Sequence, residues 1–188
     1  MKFFETSKYY SLKKTTYITL RWIAIIGQLI SINVVYFYFG FNFDFVSSNF
    51  IIFLGILSNL YLKYAYRKTQ ISDRSALIFL LIDILQLAVL IYLTGGILNP
   101  FIIFMIIPSI FASSNSGLRT NLFLIIILIL IIIFLTFFSQ ELPEPLNYHF
   151  HVSPYYYYSI PIALIVALIF LNYFALTFGK ESRIKKEA

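Results

Sequence analysis

Between Leu122 and Phe138 the chain reads LFLIIILILIIIFLTFF, and from Leu124 to Phe134 it carries no polar side chain at all. Such a run approaches the roughly 20 helical residues that cross the ~30 Å hydrocarbon layer of a bilayer. A membrane β-barrel strand would alternate apolar and polar residues, and this stretch does not. In lipid the backbone has no water to bond, so the run must be helical. The same signal recurs at Trp22–Phe39, Phe50–Tyr66, Ala76–Leu93 and Tyr155–Phe178. A shorter run, Phe101–Ala112, is interrupted by Pro108. About 12 residues extend only ~18 Å as a helix, so this fourth run either draws in Ser113–Gly117 or enters the bilayer at a slant. The expected fold class is all-α: a polytopic membrane bundle of six transmembrane helices.

Composition agrees. Hydrophobic residues make up 60% of the chain and charged residues 12%, with a mean hydropathy of +0.86. A soluble domain averages about 45–50% apolar and roughly 25% charged. There is no cysteine, so these residues offer no disulfide, thiolate metal site or thiol redox relay. The net charge of +6 sits in clusters beside apolar runs, which suits an anionic inner leaflet and membrane lipid rather than nucleic acid. No small-residue cleavage site follows the first apolar run, so the N-terminus does not read as a cleavable signal peptide.

Orientation follows from Lys and Arg, which favour the cytoplasmic side. All 14 of them fall before the first run, at or after the end of the second, after the fourth or in the tail. The segments Gly40–Asn49, Thr94–Pro100 and Ser139–Pro154 hold none and carry Asp44, Glu141 and Glu144. That segregation predicts both termini on the cytoplasmic side of a bacterial inner membrane. It also divides the chain into a basic N-terminal segment at 1–21, a six-helix domain at 22–178 and the start of a cytoplasmic helix at 179–188. Tyr148 and Tyr155–Tyr158 fit an interfacial aromatic belt.

The segment Thr94–Phe101 is the most informative for function. Gly95 and Gly96 permit backbone conformations closed to other residues, Asn99 both donates and accepts, Pro100 suits the first turn of a helix, and Phe101 offers a flat apolar face. Two readings stay open: a small-ligand pocket at the membrane surface, or a tight turn between helices three and four. Asp83 is the one acid placed deep inside a span, so it should face the bundle interior. Gln86 and Thr94 lie on nearly the same helical face, giving a polar stripe that points toward Gly95. The structural alternative is Asp83 bonded to Gln86 or to Asn33 of another helix, holding the bundle together. Arg21 and Trp22 read as markers of the inner interface, Gly27 and Gln28 as packing positions, and His149 and His151 as ordinary loop residues; no metal site is expected. The spans hold no histidine, cysteine or carboxylate pair, so hydrolytic and thiol chemistry lack their parts. A small transporter or channel using Asp83 as a proton or ion relay is the alternative function.

The heptad Gly95-Gly96-Ile97-Leu98-Asn99-Pro100-Phe101 matches the fixed positions of the G-G-x-x-N-P-F motif of the RegB/PrrB/ActS family. The stretch Leu20-Arg21-Trp22-Ile23-Ala24-Ile25-Ile26-Gly27-Gln28 is similar to that family's first-helix motif L-R-W-x-A-x-x-G-Q, and Asp83 with Gln86, Leu87 and Leu93–Gly96 resembles its third helix. The resemblance covers essentially the whole chain. It implies the six-helix sensor domain of a redox-responding, two-component sensor histidine kinase, a homodimer that binds a quinone, ubiquinone foremost, at Gly95, Gly96, Asn99, Pro100 and Phe101. It also implies a following kinase module, which would address a response regulator. These 188 residues include no such module, and His149 and His151 fall on the outer side, so the chain as it stands is expected not to phosphorylate itself. It reads as a sensor piece of a longer kinase or as a truncated relative.

Overall fold

Asp44 opens the second helix by accepting the Ser47 N–H at 3.0 Å, and Ser72 opens the third by accepting from the Ser75 N–H. These caps satisfy orphan amides of the first turn, and they move both helix starts upstream of the apolar runs that betray them. Hydrogen bonds from Ser47 also hold the Asp44 carboxyl below its usual range. The computed structural model describes residues 12–66, 70–115, 118–145 and 149–187. Its helices are α1 Lys14–Phe37, α2 Phe45–Tyr64, α3 Asp73–Leu93, α4 Ile106–Asn115, α5 Leu118–Phe138 and α6 Pro154–Glu187, with 3₁₀ turns at Gly96–Leu98 and Pro100–Met105. The all-helical reading holds, with one addition: β1 Leu12–Lys13 pairs antiparallel with β2 Gln70–Ile71. This short ribbon ties the start of α1 to the α2–α3 connection, and Lys14 Nζ donates to the carbonyls of Lys63 and Tyr66 at the end of α2.

Among the described residues, α1, α2, α3, α5 and α6 are long and apolar enough to cross a membrane, and the stretch Pro100–Ser113 is a shorter apolar helix. Outward side chains such as Ile126, Phe137, Val166 and Phe170 are more than half exposed. With hydrocarbon-like side chains both inside and outside, the molecule is built for a membrane. The fourth run gains length from its geometry. Six 3₁₀ residues rise ~12 Å and ten α-helical residues ~15 Å, and Pro108 falls in the first turn of α4, where its missing N–H costs little. Gly117, Tyr148 and the basic residues Lys2, Lys8, Arg67 and Lys68 lie outside the described residues.

The helices form two connected layers. Ile25, Ile32, Ile52 and Leu90 join α1, α2 and α3, while a larger core from Leu80 and Ile84 through Leu128 and Leu168 joins α3 to α4, α5 and α6. The connections without basic residues gather at one end: Asn42 N–H donates to Glu144 O, Phe41 bridges to Pro145, and Gln140 N–H donates to Tyr92 O. At the opposite end Phe111 of α4 stacks on Tyr17 of α1 with ring centroids 5.9 Å apart. The Pro100–Asn115 segment therefore runs the length of the bundle. α6 passes through Gly179 without a break, and its helical backbone continues to Glu187.

Candidate functional site

The heptad is first of all a turn. Gly95 and Gly96 have φ of 108° and 54°, left-handed conformations that side chains resist. A Cβ on Gly95 would lie 2.6 Å from Leu142 Cδ1, and one on Gly96 would fall on the side chain of Ser139. Both glycines thus face the end of α5 and the segment after it. Asn99 is buried and spends its amide locally. Its Nδ2 donates to Thr94 O at 3.0 Å and to Thr94 Oγ1 at 2.6 Å, while its Oδ1 accepts the Phe101 N–H at 2.9 Å. Pro100 occupies the first position of the 3₁₀ turn that Asn99 caps.

A cleft of about 550 Å³ opens beside this turn, between α1 on one side and the Pro100–Asn115 segment on the other, with α3 as its floor. Its volume lies within the ~300–1,000 Å³ of ordinary small-molecule sites. Asn99 and Phe101 line its heptad end; Gly95, Gly96 and Pro100 do not. Asp83, Gln86 and Thr94 all line it, so the polar stripe and part of the heptad share one space. Apolar walls come from Leu87, Leu90 and Ile91 of α3 and from Phe104 and Ile107 opposite.

The partners of Asp83 differ from those the sequence suggested. Arg21 Nε and Nη2 reach Asp83 Oδ1 at 2.8 and 2.6 Å, and the Tyr17 hydroxyl donates to Oδ2 at 2.5 Å. Gln86 instead donates to Gln28 Oε1 at 2.8 Å, and Asn33 turns back to Leu29 O on its own helix. Arg21 is only 5% exposed, so it is not the interfacial marker that its place beside Trp22 suggested. It is a fixed positive charge inside the bundle, because guanidinium stays protonated in proteins. Gly27 is likewise not packed: a Cβ there meets nothing within 4 Å, and the residue opens onto the cleft. Tyr17, Arg21, Gly27 and Gln28 also line the cleft, and sequence reasoning did not place them there. Their signal was spacing, since Tyr17, Arg21 and Gln28 share a face once α1 is extended back to Lys14.

A second polar cluster lies behind α4. Asn172 Nδ2 on α6 donates to Ser109 Oγ at 2.9 Å, and Ser113 Oγ lies 2.5 Å from Asn172 Oδ1. α4 therefore turns Ile107, Pro108 and Phe111 to the cleft and Ser109 and Ser113 to α6. In the connection between α5 and α6, His149 Nδ1 lies 2.6 Å from Glu144 Oε2, and the Phe150 N–H donates to Glu144 Oε1. These bonds hold the Glu144 carboxyl below its usual range. Among the described residues no three His, Cys, Asp or Glu side chains converge on a metal position.

Comparison with known proteins agrees with the resemblance read from the heptad. Over 174 residues, 92% of the chain, it is 26% identical to the sensor histidine kinase RegB of Cereibacter sphaeroides, of which it is a homologue. The chain spans 38% of that relative's length. No family model and no solved structure matches it.

Proposed function

We propose that this chain is the membrane sensor domain of a two-component histidine kinase, and that it reads the redox state of a quinone held in the cleft between α1 and α4. One observation carries the reading: in a homologue of RegB, the cleft joins Asn99 and Phe101 of the heptad to the Asp83–Gln86 stripe in a single apolar space with polar ends. Phe101 and Phe104, stacked with centroids 5.8 Å apart, offer their faces to a ring, and the apolar walls suit an isoprenoid tail. The glycines act indirectly here, by permitting the turn that sets Asn99 and Phe101 at the cleft mouth. A quinone carbonyl only accepts hydrogen bonds, whereas a quinol hydroxyl also donates, so donors fixed on the wall weigh the two forms differently.

The six-span topology with both ends in the cytoplasm belongs to this reading. It is supported by the gathering of the basic-free connections at one end of the bundle and by a fourth segment that runs its length. The output leaves through α4 and α6. A ligand shifts an equilibrium only by its differential affinity for the two states, and α4 has one face on the cleft and the other bonded to Asn172. The helical continuation of α6 then carries the change toward a kinase module in a homodimer, and through that module to a response regulator.

The test is a titration of the full chain in lipid nanodiscs with ubiquinone-1, followed by quenching of Trp22, the single tryptophan. Saturable quenching is expected. Gly27→Leu, which fills open space on the cleft, should weaken binding about tenfold, equivalent to ~1.4 kcal/mol. Equal affinity in Gly27→Leu would remove the cleft as the site.

A further inference from the structure

Few polar groups of the cleft are both open and unpaired. Of the polar side chains that line it, Tyr17, Arg21, Thr94 and Asn99 are buried, whereas Gln28, Ser31, Asp83 and Gln86 keep part of their surface open. Asp83 has both oxygens engaged, one by Arg21 and one by Tyr17. Gln28 is different. Its Oε1 accepts from Gln86 Nε2 at 2.8 Å, while its Nε2, like Ser31 Oγ and Gln86 Oε1, meets no hydrogen-bond partner among the described residues. None of these three atoms is fully buried, so each can be reached. Gln28 and Ser31 stand about one turn apart on one face of α1, and the space beside Gly27 next to them is open.

Depth in the bundle fits as well. Gln86 lies eight residues before Thr94 on α3, about 12 Å. Asn99 is bonded to Thr94, and Phe104 lies five 3₁₀ residues beyond Asn99, about 10 Å in the same direction. A ring set against Phe104 is therefore level with the Gln28 amide. We propose that the Gln28–Gln86 amide pair, with the Ser31 hydroxyl beside it, is the head-group contact that reads the oxidation state of the bound quinone. Gln28 donates from Nε2 to a carbonyl of the oxidised form. A side-chain amide carries a donor and an acceptor that exchange places in a half-turn, so the pair can turn over together and keep its mutual bond. Gln28 then presents Oε1 to a hydroxyl of the reduced form. The surroundings leave room for that turn: a Cβ on Gly55 of α2 would stand 3.3, 3.4 and 3.5 Å from Gln86 Cδ, Nε2 and Oε1. The amide thus presents its face to a glycine, where a larger residue would crowd it. This assignment rests on the reading that a quinone occupies the cleft and names the contact within it.

The experiment uses the full chain in nanodiscs, titrated calorimetrically with ubiquinone-1 and, under argon, with ubiquinol-1. Infrared difference spectra of ubiquinone-1 carrying ¹³C at its carbonyls are recorded alongside. In the native chain one carbonyl band should be shifted to lower frequency by the amide. Gln28→Met removes the contact at similar length, and Gln28→Met/Gln86→Met removes both amides together, so that neither is left without its partner. Both variants should lose the shifted band and bind each form up to about tenfold more weakly, as loss of one hydrogen bond predicts. If the native chain binds and the variants keep both the band and the affinity, the pair is not the contact, while the cleft reading stands. Weaker binding with the shifted band intact also overturns the assignment, since the glutamines would then be acting on the fold alone. A loss confined to one oxidation state overturns the two-way reading of the pair. A native chain that binds neither form removes the parent reading and this one with it.

Discussion

Gly96 combines a φ of 54° with a Cβ position already filled by Ser139. Forcing a side chain there adds ~1–2 kcal/mol of left-handed strain to an overpacking cost of ~1–3 kcal/mol. Gly96→Ala should therefore lower the stability of the domain by about 2–5 kcal/mol in a denaturant or thermal melt. Gly27→Ala, helical and in open space, should raise it by a few tenths to about 1 kcal/mol. Both are glycines in motifs, and only φ and neighbours separate them, which no spacing rule could reveal. Arg21 gives a second contrast. Breaking one side of a buried ion pair costs about 3–5 kcal/mol, while replacing both sides by apolar groups is often neutral. A melt of Arg21→Met should fall accordingly and recover in Arg21→Met/Asp83→Leu; equal loss in both would show that the pair is not isolated. In the α5–α6 connection, the Glu144 carboxyl titrates lower in the folded chain than when unfolded. The clasp on His149 and Phe150 is therefore fully present above the unfolded pKa of about 4.3 and fades as pH falls through the lower folded value. Exchange of the Phe150 amide should accelerate only in that acidic window.

At the scale of elements, the apolar runs marked the helices but misplaced their starts. α1 begins at Lys14 rather than Trp22 because Lys14–Arg21, half polar in sequence, gains a floor: Tyr17 packs on Phe111 and Arg21 on Asp83. That is also why Arg21 was read as a surface charge, since an arginine beside a tryptophan at the edge of an apolar run ordinarily snorkels to the interface. The deep Asp83 and its alignment with Gln86 and Thr94 were legible from helical period alone, but their partners were not, because partner choice depends on which helix lies alongside. α4 is the element on which signalling turns in this account. Asn172→Leu removes its bonds to Ser109 and Ser113 without touching the cleft. With a spin label at Thr177 in each copy of the proposed homodimer, ubiquinone-1 should change the label-to-label distance in the native background. In Asn172→Leu it should leave that distance unchanged while affinity stays within about twofold, far below the tenfold worth 1.4 kcal/mol.

For the whole molecule, the helical class followed from the unbroken Leu124–Phe134 stretch, and the proposed topology rests on where the 14 basic residues stop. The fourth run was the weak point, because 3₁₀ geometry adds length that a residue count does not show. A chain without cysteine is a clean background for accessibility labelling. A single cysteine at Asn42 or Gln140 should react with an impermeant maleimide from outside intact cells, and one at Ser72 only after permeabilisation. The central claim, that a quinone ring lies between α1 and α4, is met most directly by photo-crosslinking the full chain in nanodiscs with an azido-ubiquinone and mapping the adduct by mass spectrometry. The account predicts adducts on residues 17–32, 80–94 and 99–111 that unlabelled ubiquinone-1 suppresses. Adducts confined to the 139–145 segment, or labelling that ubiquinone-1 does not suppress, would contradict it.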